Sequence, residues 1–306
     1  MSKKVLVTGA TGYIGSYLLS HLLQAGYPTK ALLREDATLT CAGNLEVARG
    51  AWDDATFLSL ATAEADIVVH LAGLKGQEAC SNEIEKVVDA NILIVQRLLN
   101  ALKRKPGRII FASSYWVYGH KSPTPYREAL PLMPSEPYGW SKALAERTIM
   151  DSGVDYTIIR LANVFGYGSG RGYGEVTSLF LKRALQGGQV LLKNGGEHSV
   201  DLISVDDVCQ LFLKIINLAE KNIILNVGRG VPVTLANLAE TVNKVSKSLT
   251  GKVATIEIGP KEPDEISFAD RWVDISRIKQ FTGFEPVPLE RSLNEFALHL
   301  MDAKAV

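Results

Sequence analysis

The sequence predicts an α/β protein, a doubly wound parallel sheet with a smaller, mainly C-terminal lobe. Three observations predict it. Short β-branched or aliphatic runs alternate with longer segments of helical period, which is the pattern of βαβ units. One of these runs, Ile67-Val68-Val69-His70-Leu71, is apolar almost throughout, as a strand covered by helices on both faces should be. A glycine-rich turn, VTGATGYIGS at 7–16, follows the first run directly.

The periodicity predicts strands at 4–8, 29–33, 45–48, 66–71, 108–112 and 155–160. Helices are predicted near 12–25, 54–62, 81–104 and 137–152. After about residue 165 the alternation weakens. GYGSGRGYG (166–174) reads as a loop, and a helix follows near 175–187. SVDD (204–207) has the form of a capping-box helix start, and IILNV (223–227) reads as a strand. Pro260, Pro263, Pro286 and Pro288 punctuate the tail. The expected division is 1–165 with 201–229 as the larger domain, and 166–200 with 230–306 as the smaller lobe.

Composition narrows the function class. The 306 residues are 46% hydrophobic and 22% charged, with a formal net charge of zero. These values are those of a globular protein, and they give no reason to expect a nucleic-acid or membrane surface. Cys41, Cys80 and Cys209 fit no metal or disulfide spacing, and the five histidines form no His-x-x-x-His pair, so no metal site is expected. No apolar stretch approaches a membrane span and no signal peptide is visible, which makes the cytoplasm the expected location.

Strand, tight glycine turn, helix is the order that makes a phosphate site, and it makes the predicted sheet Rossmann-type. Gly9, Gly12 and Gly15 stand three apart, with Thr11, Tyr13 and Ile14 among them. Glycine permits the turn and lets a pyrophosphate approach the backbone, while the helix N-terminus offers free N–H groups. The end of the second strand separates the cofactors. An Asp or Glu there would hold a ribose 2′-hydroxyl, and an Arg would accept a 2′-phosphate. KALLRED places Arg34 at that end, which favours NADP. In the alternative, Arg34 is solvated and Glu35 or Asp36 serves NAD.

PYGWSKALAE (137–146) carries the candidate chemistry. Tyr138 and Lys142 lie four apart, on one face of a helix. An ammonium near a phenol favours the phenolate and brings proton exchange nearer neutral pH. In IIFASSYWVYG (109–119) a strand ends at Ser113-Ser114, where a hydroxyl can bond a substrate oxygen.

TGATGYIGS, HLAGLK (70–75), FASSYWVYG, PYGWSK, RLANVFG (160–166), SVDDV (204–208) and LNVGRG (225–230) stand in one order along nearly the whole chain. In this order the sequence resembles the extended short-chain dehydrogenases/reductases, specifically the NAD-dependent epimerase/dehydratase family. The resemblance implies Tyr138 as general acid/base, Lys142 as the group that binds the nicotinamide ribose and lowers the Tyr138 pKa, and Ser114 as the holder of the reacting oxygen. It implies Asn163 at the substrate, Lys75 beside both substrate and cofactor, and Leu71, Ala72 and Gly73 along the cofactor. Asn91 matches a family asparagine whose role can be structural. Family members pair the helices near 92–102 and 137–152 with a second subunit, which implies a homodimer.

Four departures from the family pattern narrow the reaction. Tyr115 and Trp116 follow Ser114 where dehydratases carry an Asp-Glu pair, so a 4,6-dehydratase is not expected; the two rings are instead placed at the substrate. Trp116 packing under the second lobe is the alternative. Val200 and Lys261 stand where arginines would grip a nucleotide diphosphate, with Arg171, Lys182, Arg183, Lys193 and Arg271 as possible substitutes. GAWDD (50–54) lacks the family's first Asp, so either Asp53, with Trp52, serves the adenosine end, or Asp54 caps the next helix. His70 reads as a satisfied core histidine. The resulting expectation is an NAD(P)-dependent epimerase acting on a nucleotide sugar. The alternatives are an NADPH-dependent 4-keto-sugar-nucleotide reductase, an enzyme for a non-nucleotide carbonyl, and a non-catalytic dinucleotide sensor.

Overall fold

A computed structural model of the chain describes residues 3–39, 44–75, 80, 83–103, 107–168, 171–173, 175–260 and 269–302. Strands β1 (Val5–Thr8), β2 (Thr29–Leu33), β3 (Leu45–Arg49), β4 (Ile67–His70), β5 (Arg108–Ser114) and β6 (Asp155–Leu161) join a seventh, Ile223–Val227, in one parallel sheet. The spatial order is Ile223–Val227, β6, β5, β4, β1, β2, β3. Helix α1 (Tyr13–Gln24) connects β1 to β2, and α2 (Ala55–Thr62) connects β3 to β4. The chain runs one way from β1 through β2 to β3 and the other way from β4 onward. The topological switch therefore falls between β1 and β4, where open α/β sheets bind ligands at the carboxyl ends of their strands.

Burial explains the alignment. Every residue of β1, β4 and β5 is buried. Leu6, Val68, Ile109, Phe111 and Ile158 pack with Val95, Leu98 and Leu99 of the Ile94–Leu102 helix, and with Ala145 and Ile149 of the Pro137–Met150 helix. A fully buried aliphatic side chain of this kind contributes roughly 1.5–3 kcal/mol. Arg108 at the start of β5 is also buried. It donates to the carbonyls of Ile215, Ile216, Leu218 and Glu220 at 2.9–3.2 Å, satisfying acceptors left open at the end of the Val205–Asn217 helix.

Two elements around the parallel sheet differ from expectation for identifiable reasons. The helix expected at 81–104 is two helices, Ile84–Val88 and Ile94–Leu102, separated by a π turn at Asp89–Leu93. The wide turn carries the buried Asn91, whose amide has partners outside the helix. Strand β5 runs two residues past its apolar run. Ser113 and Ser114 still pair with Arg160 and Leu161 of β6, and the Ser113 hydroxyl donates to Glu146.

Contacts divide the chain into two units. The first comprises Met1–Gly119, Glu128–Leu161 and Cys209–Asn226; the second comprises His120–Arg127, Ala162–Val208 and Val227–Val306. Segments 120–127, 162–165, 201–208 and 227–229 thus group with the second unit rather than with the expected first domain. Backbone bonds explain this. Tyr126 donates to Trp272 O and accepts from Asp274 N, while the buried Asp201 accepts from Arg229 N and Gly230 N. In the second unit, strand Asn163–Gly168 pairs with Leu202–Ser204 and, antiparallel, with Arg171–Tyr173. The expected loop at 166–174 is thus corrected: Gly166–Gly168 and Arg171–Tyr173 are strand, held by the ladder that pairs Gly166 with Tyr173 and Gly168 with Arg171. Helices Glu175–Gln186, Leu235–Thr250 and Leu289–Asp302 contribute to a core around Phe165, Phe180, Leu238 and Phe296. Ser204 Oγ accepts from Asp207 N at 3.1 Å, as the SVDD pattern predicts. No helix among the described residues is long and apolar enough to cross a membrane.

Candidate active site

The turn after β1 is shaped by missing side chains. Gly9 has φ +69, and a Cβ there would stand 2.6 Å from Ala72 N in the loop after β4. A Cβ on Gly15 would run into the Gly9 carbonyl. Gly12 N donates to Gly9 O at 2.9 Å, and Gly12 caps α1 without any side-chain bond. The first turn of α1 holds no acidic residue. The partial positive charge of the helix N-terminus suits an anion, and the cradle fits the pyrophosphate of a dinucleotide. Thr11 and Gly12 are exposed, Ile14 is half-buried, and Tyr13 is buried.

A polar relay fixes this cradle to the β4 loop. Thr8 Oγ1 lies 2.7 Å from His70 Nδ1 and accepts from Ala72 N at 3.3 Å. His70 stacks on Phe111, and its buried Nε2 has no partner, so the histidine is only half satisfied. Burial, with the Lys142 charge second, pulls its pKa down to about 3. Asn91 then ties the loop to the next helix: Leu74 N donates to Oδ1 at 2.7 Å, and Nδ2 donates to Leu74 O at 3.0 Å and to Ser141 Oγ at 2.9 Å. Leu71 and Ala72 are half-buried, while Gly73 and Lys75 are exposed.

The structure brings Ser114, Tyr138 and Lys142 together. Ser114 and Tyr138 share a side-chain hydrogen bond, and Ser114 Oγ also accepts from Trp116 N at 3.4 Å, capping the turn Tyr115–Tyr118. Lys142, 5% exposed, donates to Ala112 O at 2.9 Å and lies 4.8 Å from the centre of the Phe111 ring. Burial pulls the Lys142 ammonium down to about 8. It pushes the Tyr138 phenol up to about 12, with the Ser114 bond acting the other way. The expected lowering of Tyr138 by Lys142 is thus corrected: the ammonium is directed to a backbone carbonyl, and desolvation dominates.

Other expected site residues fall in three groups. Arg34 follows β2 with its side chain 74% exposed, 3.7 Å from Asp36. Asp53 is exposed, whereas Asp54 caps α2 by accepting from Thr56 N and Phe57 N, so the capping alternative holds for Asp54. Trp52 is half-buried with an unpartnered Nε1 donor. Tyr115 is 1% exposed and presents no surface to a ligand, which removes it from the substrate-facing set; Trp116 is half-buried. Asn163 belongs to the second unit, where its N–H donates to Asp201 O at 3.1 Å. Of the candidate cations, Lys182, Arg183 and Lys193 are exposed and Arg271 is buried, while Lys261 lies outside the described residues. Val200 forms an isolated parallel bridge with Arg271.

The sequence reading missed two features. Gly139 lies against the Trp116 carbonyl, where a Cβ would stand 2.6 Å away. Glu146, one turn beyond Lys142, forms a buried ion pair with Arg160 at 2.7 Å. The spacing Tyr138, Lys142, Glu146 was the available signal.

Known proteins resemble this chain along nearly its whole length. The chain is 25% identical to UDP-N-acetyl-alpha-D-glucosaminuronate decarboxylase of Bacillus cytotoxicus, over 96% of this chain and 97% of that one. It is 26% identical to dTDP-4-dehydro-6-deoxy-D-allose reductase of a Streptomyces species, over 96% and 95%. It superposes on UDP-glucose 4-epimerase of Thermus thermophilus, solved in complex with NAD, with TM-score 0.81 and 25% identity over 97% and 99% of the two chains. Residues 5–228, which hold the glycine cradle and the Ser114–Tyr138–Lys142 cluster, match the model of the NAD dependent epimerase/dehydratase family, and the chain belongs to that family, as an enzyme of the extended short-chain dehydrogenase/reductase class.

Proposed function

We propose that the protein interconverts epimers of a nucleotide-linked sugar at a ring carbon bearing a hydroxyl, with NAD held in the cradle after β1. The observation that carries this reading is the hydrogen-bonded Ser114–Tyr138 pair at the end of β5, with Lys142 one helical turn on. Ser114 holds the reacting oxygen, and the Tyr138 phenol, which burial keeps protonated, must first give up its own proton before it takes the one on that oxygen and returns it. Gly9, Gly12 and Gly15 admit the pyrophosphate, and Lys142 lies within the same buried cluster as the phenol. The bound dinucleotide supplies the acceptance and return of a hydride. No carboxylic acid follows Ser114, so water elimination is not part of the reaction.

NAD is favoured over NADP by local charge. Arg34 stands beside Asp36 and is followed by Glu35, so the strand end carries a net negative charge that repels a 2′-phosphate. An epimerase also returns its hydride to the same substrate and needs no exchange of cofactor. The NADPH-dependent reductase is the second reading, supported by the exposure of Arg34.

The test has two parts. Protein purified without added dinucleotide is denatured and the released nucleotide identified by mass spectrometry. UDP-glucose, UDP-glucuronic acid and UDP-N-acetylglucosamine are then each incubated with the protein and followed by proton NMR. Bound NAD(H) and appearance of a 4-epimer are expected. Release of carbon dioxide from UDP-glucuronic acid would assign a decarboxylase. Turnover only of a 4-keto sugar with NADPH would assign the reductase.

We also infer that the protein works as a homodimer. Trp140, 65% exposed, and Leu144 lie one turn apart on the Pro137–Met150 helix, and Ile84, Val88 and Leu93 are exposed on the neighbouring helical run. A second copy is the occupant this apolar face fits. Sedimentation should show a dimer for the native chain and a monomer for Trp140→Asp.

A further inference from the structure

Glu146 is fully buried, one turn beyond Lys142. Its carboxylate accepts from Arg160 Nη2 at 2.7 Å, from Arg160 Nε at 3.1 and 3.2 Å, and from Ser113 Oγ. Arg160 is itself 2% exposed. Its Nη1 donates to Tyr118 Oη at 2.9 Å and Glu128 O at 3.2 Å, and Tyr118 donates onward to Asn226 Oδ1 at 2.7 Å. One carboxylate therefore fastens the Tyr138–Lys142 helix to β5 at the residue before Ser114, and to β6 at Arg160.

Stability alone does not account for such a pair, because apolar replacements of similar volume are often neutral or stabilising. We propose that Glu146 is a positioning residue for the reacting cluster, holding the Lys142 side chain as an ammonium and fixing Ser113-Ser114 against Tyr138. This rests on the reading of Ser114, Tyr138 and Lys142 as the reacting groups.

The surroundings of Lys142 support it. From the side of β4, His70 feels the Lys142 charge and is itself neutral, since burial lowers its pKa to about 3. The Cys80 thiol is pushed up by burial, and the Tyr138 phenol stands at about 12. Strand β5 presents the Phe111 ring and the Ala112 carbonyl. Among the described groups that act on Lys142, Glu146 is the carboxylate, and it opposes the desolvation that pulls the ammonium down to about 8.

The test reads Lys142 directly and uses no substrate. Protein labelled with ¹³Cε-lysine is titrated by NMR, with the Lys142 signal assigned by its loss in Lys142→Met. The native midpoint is expected near 8. The paired substitution Glu146→Gln with Arg160→Met removes both buried charges together and is expected to lower the midpoint by roughly half a pH unit, less than the effect of a lone opposite charge because loss of the Arg160 charge acts the other way. A folded double variant with an unmoved midpoint overturns the proposal. If that pair fails to fold, Glu146→Leu with Arg160→Met gives the same readout. Failure of both pairs to fold also overturns it, by showing that the ion pair serves packing. Absence of turnover in the native protein would sink the epimerase reading and leave this titration unaffected.

Discussion

The turn after β1 and the cluster after β5 lie at the carboxyl ends of strands in one sheet, yet they are built by opposite means. The first is made by backbone and by absent side chains: Gly9 and Gly15 let two loops close on each other, and the helix N-terminus supplies the charge. The second is made by buried ionisable groups, Lys142 at about 8, Tyr138 at about 12 and the Glu146–Arg160 pair. The difference teaches that a backbone-built site tolerates changes of charge and fails on added volume, whereas a charge-built site does the reverse.

The largest expected effect separates the two. Tyr138→Phe removes one oxygen from the cluster and nothing from the cradle. Turnover should fall about 10²–10⁴-fold, the usual worth of a positioned acid/base, with dinucleotide binding by titration calorimetry unchanged. Loss of dinucleotide binding in the same variant would show that the regions are not independent.

His70 tests whether the cradle side is free of electrostatic cost. Its pKa is about 3 in the folded chain against an ordinary 6.5, so below 6.5 the unfolded chain binds a proton that the folded chain does not. The histidine's contribution is therefore present above pH 6.5 and is lost as pH falls toward 3, by about 4 kcal/mol over the whole window. His70→Gln keeps a partner for Thr8 without titrating. Its urea midpoint should vary less with pH between 6.5 and 4 than that of the native protein. Equal slopes would show that acid sensitivity arises elsewhere.

The same contrast explains what could be read in the sequence. Glycines at fixed spacing after an apolar run state a backbone requirement outright, and the strand pattern followed because each βαβ unit carries its own periodicity. The π turn at Asp89–Leu93 was hidden, because the stretch that follows, ILIVQRLLNAL (92–102), is apolar on more than one face and a one-residue shift of its pattern leaves no trace. In the cluster, residue identities were legible but their surroundings were not. The four-residue spacing put an ammonium near a phenol, yet Lys142 bonds Ala112 O, and desolvation depends on what the whole fold packs around Tyr138. Tyr115 looked like a substrate contact because it adjoins Ser114, but the turn after β5 rotates its ring into the interior.

Gly139 is where the two modes of construction meet, since a backbone contact there sets the geometry of the charged cluster. A Cβ at this position would stand 2.6 Å from the Trp116 carbonyl and 3.1 Å from Pro134 Cβ, and the first of these is backbone that no rotamer change can move. Gly139→Ala gains about 1 kcal/mol of helix propensity. It loses about 1–3 kcal/mol to overpacking. The helix must shift away from the turn that begins at Ser114, and it carries Tyr138 with it. A displacement of this kind typically costs up to about 10²-fold in the chemical step while leaving binding intact. The expected result is a lower kcat with little change in KM, a modest fall in Tm, and unaltered dinucleotide affinity. If Gly139→Ala is as active as the native protein, Ser114 and Tyr138 are held together by the Glu146 network alone, and the close approach at Gly139 serves only to pack the helix.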